Sequence, residues 1–248
     1  MRIIFLGTGT GIPEKNNSPS SLFVEYKNTK IIFDFGEGIM KNLIRKNIRI
    51  NDIDAIFLTH FHIDHIIGII PLLFAFRYEA DPRKKEFFLF GPSGFKGLME
   101  DIFKLFEKQL EPKSYKLKIE ELKPGKEFKF KNIKIETFKT KHRAESIGYI
   151  LNLKGKKIVY TGDTDYDENY RDIMKKVDIL ITECSVPIDI ENHMNPQKVL
   201  KLINDIYPHK TYLIHLYPVM DRKKLKKYFQ NNTDKKVIIP FLFHEIKI

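Results

Sequence analysis

The heptapeptide Thr59-His60-Phe61-His62-Ile63-Asp64-His65 constrains this chain more than any other stretch. Three of its eight histidines and an aspartate fall within six consecutive positions. They follow the apolar run Ala55-Ile56-Phe57-Leu58, whose shortness, β-branched and aromatic content and polar flanks predict a buried strand. The cluster therefore lies where a strand gives way to a loop, a usual place for a site in an α/β protein. Neutral imidazole and carboxylate are the donors that zinc, manganese or iron would select. Three solvent-exposed loop histidines are the plain alternative, but that leaves the local concentration unexplained.

The pattern recurs downstream. Expected strands at 136–139, 157–160, 179–182 and 211–214 lead to His142, Asp163, Glu183 and His215 just past their ends. With the strand at 55–58, five strand ends thus supply coordinating or titratable side chains, and their convergence on one pocket is what an active site needs. Arg2 to Leu6 reads as a buried strand running into Gly7-Thr8-Gly9-Thr10-Gly11-Ile12-Pro13. A dinucleotide-binding turn would need a helix to begin at the last glycine. Pro13, Asn16 and Asn17 oppose that, and no P-loop lysine follows, so a tight loop beside the metal site is expected instead.

The remaining elements follow from periodicity. Ser21–Tyr26 and Lys30–Asp34 form a hairpin turning at Lys27-Asn28-Thr29, and Gly36–Lys46 carries helical spacing. Ile66–Phe76 is an apolar helix kinked at Pro71. Glu86–Phe90 is a strand, after which Gly91-Pro92-Ser93-Gly94 opens a helix towards Leu110. Residues 115–153 mostly alternate, so Lys126, Lys129, Lys131 and Lys134 read as a solvated face before a nucleic-acid face. Asn195–Ile206 and Arg222–Phe229 read as helices and Lys236–Ile248 as strands. No repeat or linker divides residues 1–248, so a single domain is expected.

Composition limits the remaining classes. Hydrophobic residues at 42% supply a sizeable core and exclude a disordered chain. The formal charge of +11 suits phosphate-bearing partners, and equally a lysine-rich surface. Cys184 is the one cysteine, which rules out an intrachain disulfide, points to a reducing cytoplasm and suggests a small buried residue rather than a nucleophile. Met1–Leu6 reaches Gly7 too soon for a signal segment, and no run approaches about 18 apolar residues, so no membrane span is expected.

These residues together resemble the metallo-β-lactamase fold. His60, His62, Asp64 and His65 match its HxHxDH signature, and His142, Asp163 in a Gly-Asp-Thr context and His215 complete its motifs in order. The resemblance implies an α/β, four-layer αββα sandwich with two divalent ions at the sheet edges, Zn2+ first and Mn2+ second. His60, His62 and His142 would hold one ion, Asp64, His65 and His215 the other, with Asp163 bridging. Phe5-Leu6-Gly7-Thr8-Gly9-Thr10, Glu183 and His193 place the chain nearest the ribonuclease Z-like branch. Asp64 would then orient the attacking water, and His193, aligned by Glu183, would protonate the leaving oxygen.

Two departures shape the functional expectation. His142 and Asp163 are 21 positions apart, leaving no room there for the long arm with which ribonuclease Z grips tRNA. His193 is followed by Met194-Asn195 where the branch usually has Ser-Thr. The leading expectation is a phosphodiesterase for a small, cyclic nucleotide, as among arm-less relatives such as the phage anti-Pycsar enzymes. A tRNA 3′-processing endonuclease is the first alternative, gripping RNA through Lys113–Lys134 or Arg222–Lys227. A metal-dependent ester or thioester hydrolase is the second, and a non-catalytic metal-binding sensor the third. The resemblance also implies a homodimer. Tyr217 and Pro218 are expected at the pocket rim, while His209 and His244 lie outside every motif.

Overall fold

Two stretches of strand-forming sequence, one in each half of the chain, close into two seven-stranded sheets in the computed structural model, which describes residues 1–248. In the first sheet β1 (Arg2–Gly7), β2 (Ser21–Tyr26) and β3 (Thr29–Phe33) are antiparallel. The strands β4 (Ala55–Phe57), β5 (Phe87–Pro92) and β6 (Leu117–Leu122) then continue parallel to β3. The second sheet repeats the scheme. Its β7 (Glu127–Phe130), β8 (Ile133–Lys139), β9 (Ile147–Leu153) and β10 (Lys156–Tyr160) are antiparallel. Next to β10, β11 (Ile179–Glu183), β12 (Lys210–Ile214) and β13 (Lys236–Ile238) run parallel. A last strand, β14 (Glu245–Lys247), returns to pair with β1, so the strands expected over Lys236–Ile248 serve different sheets.

The alternation of apolar and polar residues decides the layers. Inward side chains of both sheets meet in one core of 24 buried residues, where Phe57 stacks on Phe90 with ring centroids 4.5 Å apart. The outer face of the first sheet is covered by α1 (Ile39–Arg45), α2 (Ile63–Ile66), α3 (Ile69–Tyr78) and α4 (Phe95–Phe106). The outer face of the second is covered by α5 (Tyr170–Ile173), α6 (Pro196–Ile206) and α7 (Arg222–Asn232). This is the four-layer αββα sandwich. At about 1.5–3 kcal/mol per fully buried large apolar side chain, these three cores supply the dominant favourable term.

Local details depart from expectation for identifiable reasons. The helix break falls at Ile67–Gly68, not at Pro71. Pro71 occupies the first turn of α3, where a missing amide proton costs nothing. Gly68 is demanded instead by close packing, since a Cβ there would stand 2.4 Å from the Gly36 carbonyl oxygen. The helix after β5 starts at Phe95 and stops at Phe106, followed by a short 3-10 turn. Along β7 and β8, Phe130, Ile133 and Ile135 enter the inter-sheet core while Lys134 faces out and pairs with Glu127 at 2.9 Å.

Directional bonds also join the sheets. The Tyr149 hydroxyl donates to the Leu58 carbonyl at 2.6 Å, the Tyr160 hydroxyl to Asp34 at 2.7 Å, and the Ile147 amide to the Thr59 carbonyl at 3.0 Å. At the opposite ends of the strands, Lys131 reaches from the β7–β8 turn to Asp54.

Candidate metal centre

All the parallel strands point their C-terminal ends at one edge of the sandwich, and the polar residues that follow them collect there. Beyond β4 the chain bends at Thr59 and is extended at His62, bringing His60 and His62 into one cluster, and the short α2 then turns Asp64 and His65 back towards them. The loops after β8, β10 and β12 bring in His142, Asp163 and His215. Donor atoms of His60, His62, His142 and Asp163 lie within 4.8 Å of one another, as do those of Asp64, His65 and His215. Asp163 stands between the groups. Its Oδ2 is 3.6 Å from His60 Nε2, 3.8 Å from His142 Nε2 and 3.3 Å from His215 Nε2, while Oδ1 is 3.4 Å from His65 Nε2.

The hydrogen bonds behind the cluster settle which ring nitrogens carry lone pairs into it. Thr59 has one hydroxyl proton, directed at Asp34 at 3.0–3.1 Å, so it accepts from His60 Nδ1 at 2.9 Å. Ser185 likewise donates to Glu183 and accepts from His215 Nδ1 at 3.0 Å. His65 Nδ1 donates to Asp34 at 2.9 Å and His142 Nδ1 to the Asn192 carbonyl at 2.9 Å. In their neutral forms these four imidazoles carry the lone pair on Nε2, which faces inward, each ring aimed by an outer partner. His62 differs, placing Nδ1 only 3.1 Å from His142 Nε2.

This donor set fits a divalent cation. His60 Nε2, His65 Nε2, His215 Nε2 and Asp163 Oδ1 are all buried without a hydrogen-bond partner. Each such atom costs about 1–3 kcal/mol, and a cation in a nitrogen and oxygen environment satisfies them together.

Electrostatics divides the donors. Burial, with the neighbouring His65, holds His60 well below the usual histidine range. Burial would lower His65 too, but Asp163 and Asp34 raise it well above that range. Burial opposes ionisation of Asp163, yet His215, His65 and His60 hold it well below the usual carboxylate range. Asp64, where burial again acts upward, is brought down to about 2 by His215 and His65, and the Gly11 amide donates to its Oδ2 at 2.9 Å. The glycine-rich loop thus lies beside the centre.

Glu183 and His193 complete the sequence-derived set. Fully buried Glu183 accepts from the Thr164 amide at 2.5 Å, the Met194 amide at 3.1 Å and His193 Nδ1 at 3.0 Å. Burial would lower the pKa of His193, and the bond and charge of Glu183 raise it. A donor atom of His193 also lies within 4.8 Å of those of Asp163 and His215. Cys184 is buried in the outer core of the second sheet, and burial pushes its thiol up, away from nucleophilic use.

Four supporting residues escaped the sequence reading: Asp34, Thr59, Ser185 and Asn192. Asp34 carried a usable signal, a lone carboxylate closing an apolar strand in Phe33-Asp34-Phe35. Ser185 and Asn192 resemble any loop polar residue. Backbone strain marks the site as well. Asp34 and His215, both just past strand ends, have φ of 55° and 54°, a left-handed conformation costing about 1–3 kcal/mol. Gly162, at φ 60° in the turn after β10, is required there as well, since a Cβ would meet the Thr59 side chain at 2.6 Å.

Comparison with known proteins gives the centre a context. Residues 1–238 match the family model described as Anti-Pycsar protein Apyc1. A ribonuclease Z of Methanosarcina mazei is 35% identical over 151 residues, covering 61% of this chain and 48% of that protein. The chain spans about half the length of this and several other curated relatives it matches. Among crystal structures, the metallo-β-lactamase fold protein YhfI of Bacillus subtilis superposes with a TM-score of 0.86 at 21% identity, over 99% of this chain and 98% of that one. Human tRNase Z, short form, gives 0.80 at 21% identity, covering 100% and 99%.

Proposed function

The chain belongs to the family described as Anti-Pycsar protein Apyc1, within the ribonuclease Z-like branch of the metallo-β-lactamase fold, and we propose that it is a dinuclear-metal phosphodiesterase acting on a small, cyclic nucleotide. The observation that carries this reading is the convergence of buried, unpaired donor atoms on Asp163 from both sheets. His60, His62 and His142 would hold one ion and Asp64, His65 and His215 the other, with Zn2+ the first expectation and Mn2+ the second. Such ions would supply Lewis-acid polarisation of a phosphoryl oxygen and activation of water.

The protein's own groups do the rest. Asp64, kept ionised and held by the Gly11 amide, accepts a hydrogen bond from the attacking water and orients it. His193, fixed through Nδ1 by Glu183, has Nε2 free to hand a proton to the leaving oxygen.

A cavity of about 370 Å³ opens beside Asp64, lined by Gly11, Ile12, Glu14, Glu37, Ile63 and Ile67. Its size suits a nucleotide-sized ligand. The 20 residues between His142 and Asp163 are largely taken by β9 and β10, which supports a substrate that needs no gripping arm. We read residues 1–248 as one hydrolase unit and as a homodimer, the latter because Ile63, Phe74 and Tyr78 expose 68%, 45% and 55% of their surface along α2 and α3. No helix is long and apolar enough to cross a membrane.

Incubating zinc- or manganese-loaded protein with cyclic mono- and dinucleotides tests the reading. A linear phosphate product is expected, and inertness towards these and bis(p-nitrophenyl) phosphate would end it. The relative named ribonuclease Z favours a second reading, a tRNA 3′-end endonuclease. That requires precursor tRNA to bind at low salt with affinity falling steeply as salt rises, through Lys113–Lys134 or Arg222–Lys227.

A further inference from the structure

Tyr217 is the one aromatic residue at the centre that the roles above leave unassigned. The left-handed backbone of His215 turns the chain sharply after β12, burying Leu216 and bringing half-buried Tyr217 back over the site. Its amide donates to the Ser185 carbonyl at 3.0 Å and its carbonyl accepts from the Met220 amide at 2.9 Å, so both sides of the residue are fixed. The ring stands edge-on to the His215 imidazole, centroids 5.8 Å apart at 80°.

Four other tyrosines spend their hydroxyls inside the protein, while that of buried Tyr115, sealed in the outer core of the first sheet, has no partner. Tyr149 donates to Leu58, Tyr160 to Asp34 and Tyr166 to Asp205, and Tyr170 shares a bond with Thr164. Tyr217 is held as firmly by its backbone, yet its hydroxyl makes no such bond and is not among the buried polar atoms, the residue itself being half-buried. A phenol keeps its proton at neutral pH and is a competent donor.

We infer that the Tyr217 hydroxyl donates a hydrogen bond to a non-bridging oxygen of the substrate's phosphoryl group, a bond that tightens as charge builds on that oxygen in the transition state. The inference rests on the phosphodiesterase reading. No proton is transferred: the phenol remains protonated throughout, and the leaving oxygen is served from elsewhere.

The test compares metal-loaded wild type with Tyr217→Phe on two diesters, methyl p-nitrophenyl phosphate and methyl phenyl phosphate, which differ in leaving-group acidity. Loss of one such donor should lower kcat by about 100-fold on both diesters, with KM, metal content and thermal midpoint unchanged. Unchanged kcat overturns the inference. So does a loss that grows with leaving-group pKa, which would make Tyr217 the acid, or a loss that tracks metal content, which would make it structural. If wild type cleaves no diester, the parent reading fails separately, and inorganic phosphate binding to the metal-loaded proteins decides. A Kd about tenfold weaker in Tyr217→Phe supports a phosphoryl donor, and equal Kd values refute it.

Discussion

Asp34 and Asp54 cap opposite ends of the same pair of parallel strands, and both are completely buried. Both also reach across to the second sheet, Asp34 through Tyr160 and Asp54 through Lys131. Their partners separate them. Asp54 is met by Lys131, by Lys85 at 2.5 Å and by the Lys30 amide at 2.8 Å, permanent donors whose charge ends in solvent. Asp34 is met by the Thr59 amide and hydroxyl, by Tyr160 and by His65, whose other nitrogen is unpaired and faces Asp163. A buried carboxylate closed by lysines holds the fold. One that ends in a histidine whose far nitrogen has no hydrogen-bond partner faces the candidate centre.

Substitutions around these two aspartates should separate along that line. The largest effect is expected at the centre that Asp34 supports. Asp163→Ala should cost several kcal/mol of transition-state stabilisation, about 1,000-fold in hydrolysis, with metal per chain reduced and far-UV dichroism unchanged. Asp34→Asn leaves every donor atom in place but loosens His65. Metal affinity should weaken about 10- to 100-fold, and excess metal should restore activity, read by titration against a competing chelator.

Asp54→Asn should do the converse. Turnover stays at the wild-type level while stability falls by about 1–3 kcal/mol, a figure kept low because the Lys85 and Lys131 side chains are each 41% exposed, and read from urea midpoints at fixed metal concentration. The smallest effect is its pH dependence. Burial raises the pKa of Asp54, but bonds from Lys131, Lys85 and the Lys30 amide outweigh it and leave the value lowered. A lowered folded pKa means that the stabilisation is complete above the unfolded carboxylate value, about 3.9, and is lost as pH falls through the folded one. The wild type and Asp54→Asn midpoints should therefore converge in acid. A constant gap down to pH 2 would show that Asp54 contributes by packing alone.

The same contrast marks what was legible beforehand. The residues that converge on the candidate centre could be read from the sequence because coordination would demand rare residue types at fixed spacing after apolar runs, as in His60, His62 and Asp64. The strands were legible for a similar reason, since burial on both faces imposes continuous apolar runs such as Ala55–Leu58. The supporting shell was not. A serine whose task is to accept from His215 Nδ1 has no composition or period to betray it, and its partner lies 30 positions away. The misplaced helix break has the same origin: Pro71 is conspicuous along the chain, while the contact that dictates Gly68 is made with Gly36 and Phe35, more than two dozen positions upstream.

The bonds that join the sheets near the centre have a mechanical consequence. Two sheets packed through apolar side chains can slide by a fraction of an ångström with little change in buried area, because that attraction has no direction. A cluster whose donors come from both sheets and fall within 4.8 Å of one another tolerates no such slip. Tyr149, Tyr160 and Ile147 act as dowels that fix the offset of one sheet on the other. Removing the Tyr149 hydroxyl would therefore detune the centre by misalignment, though it touches no donor atom.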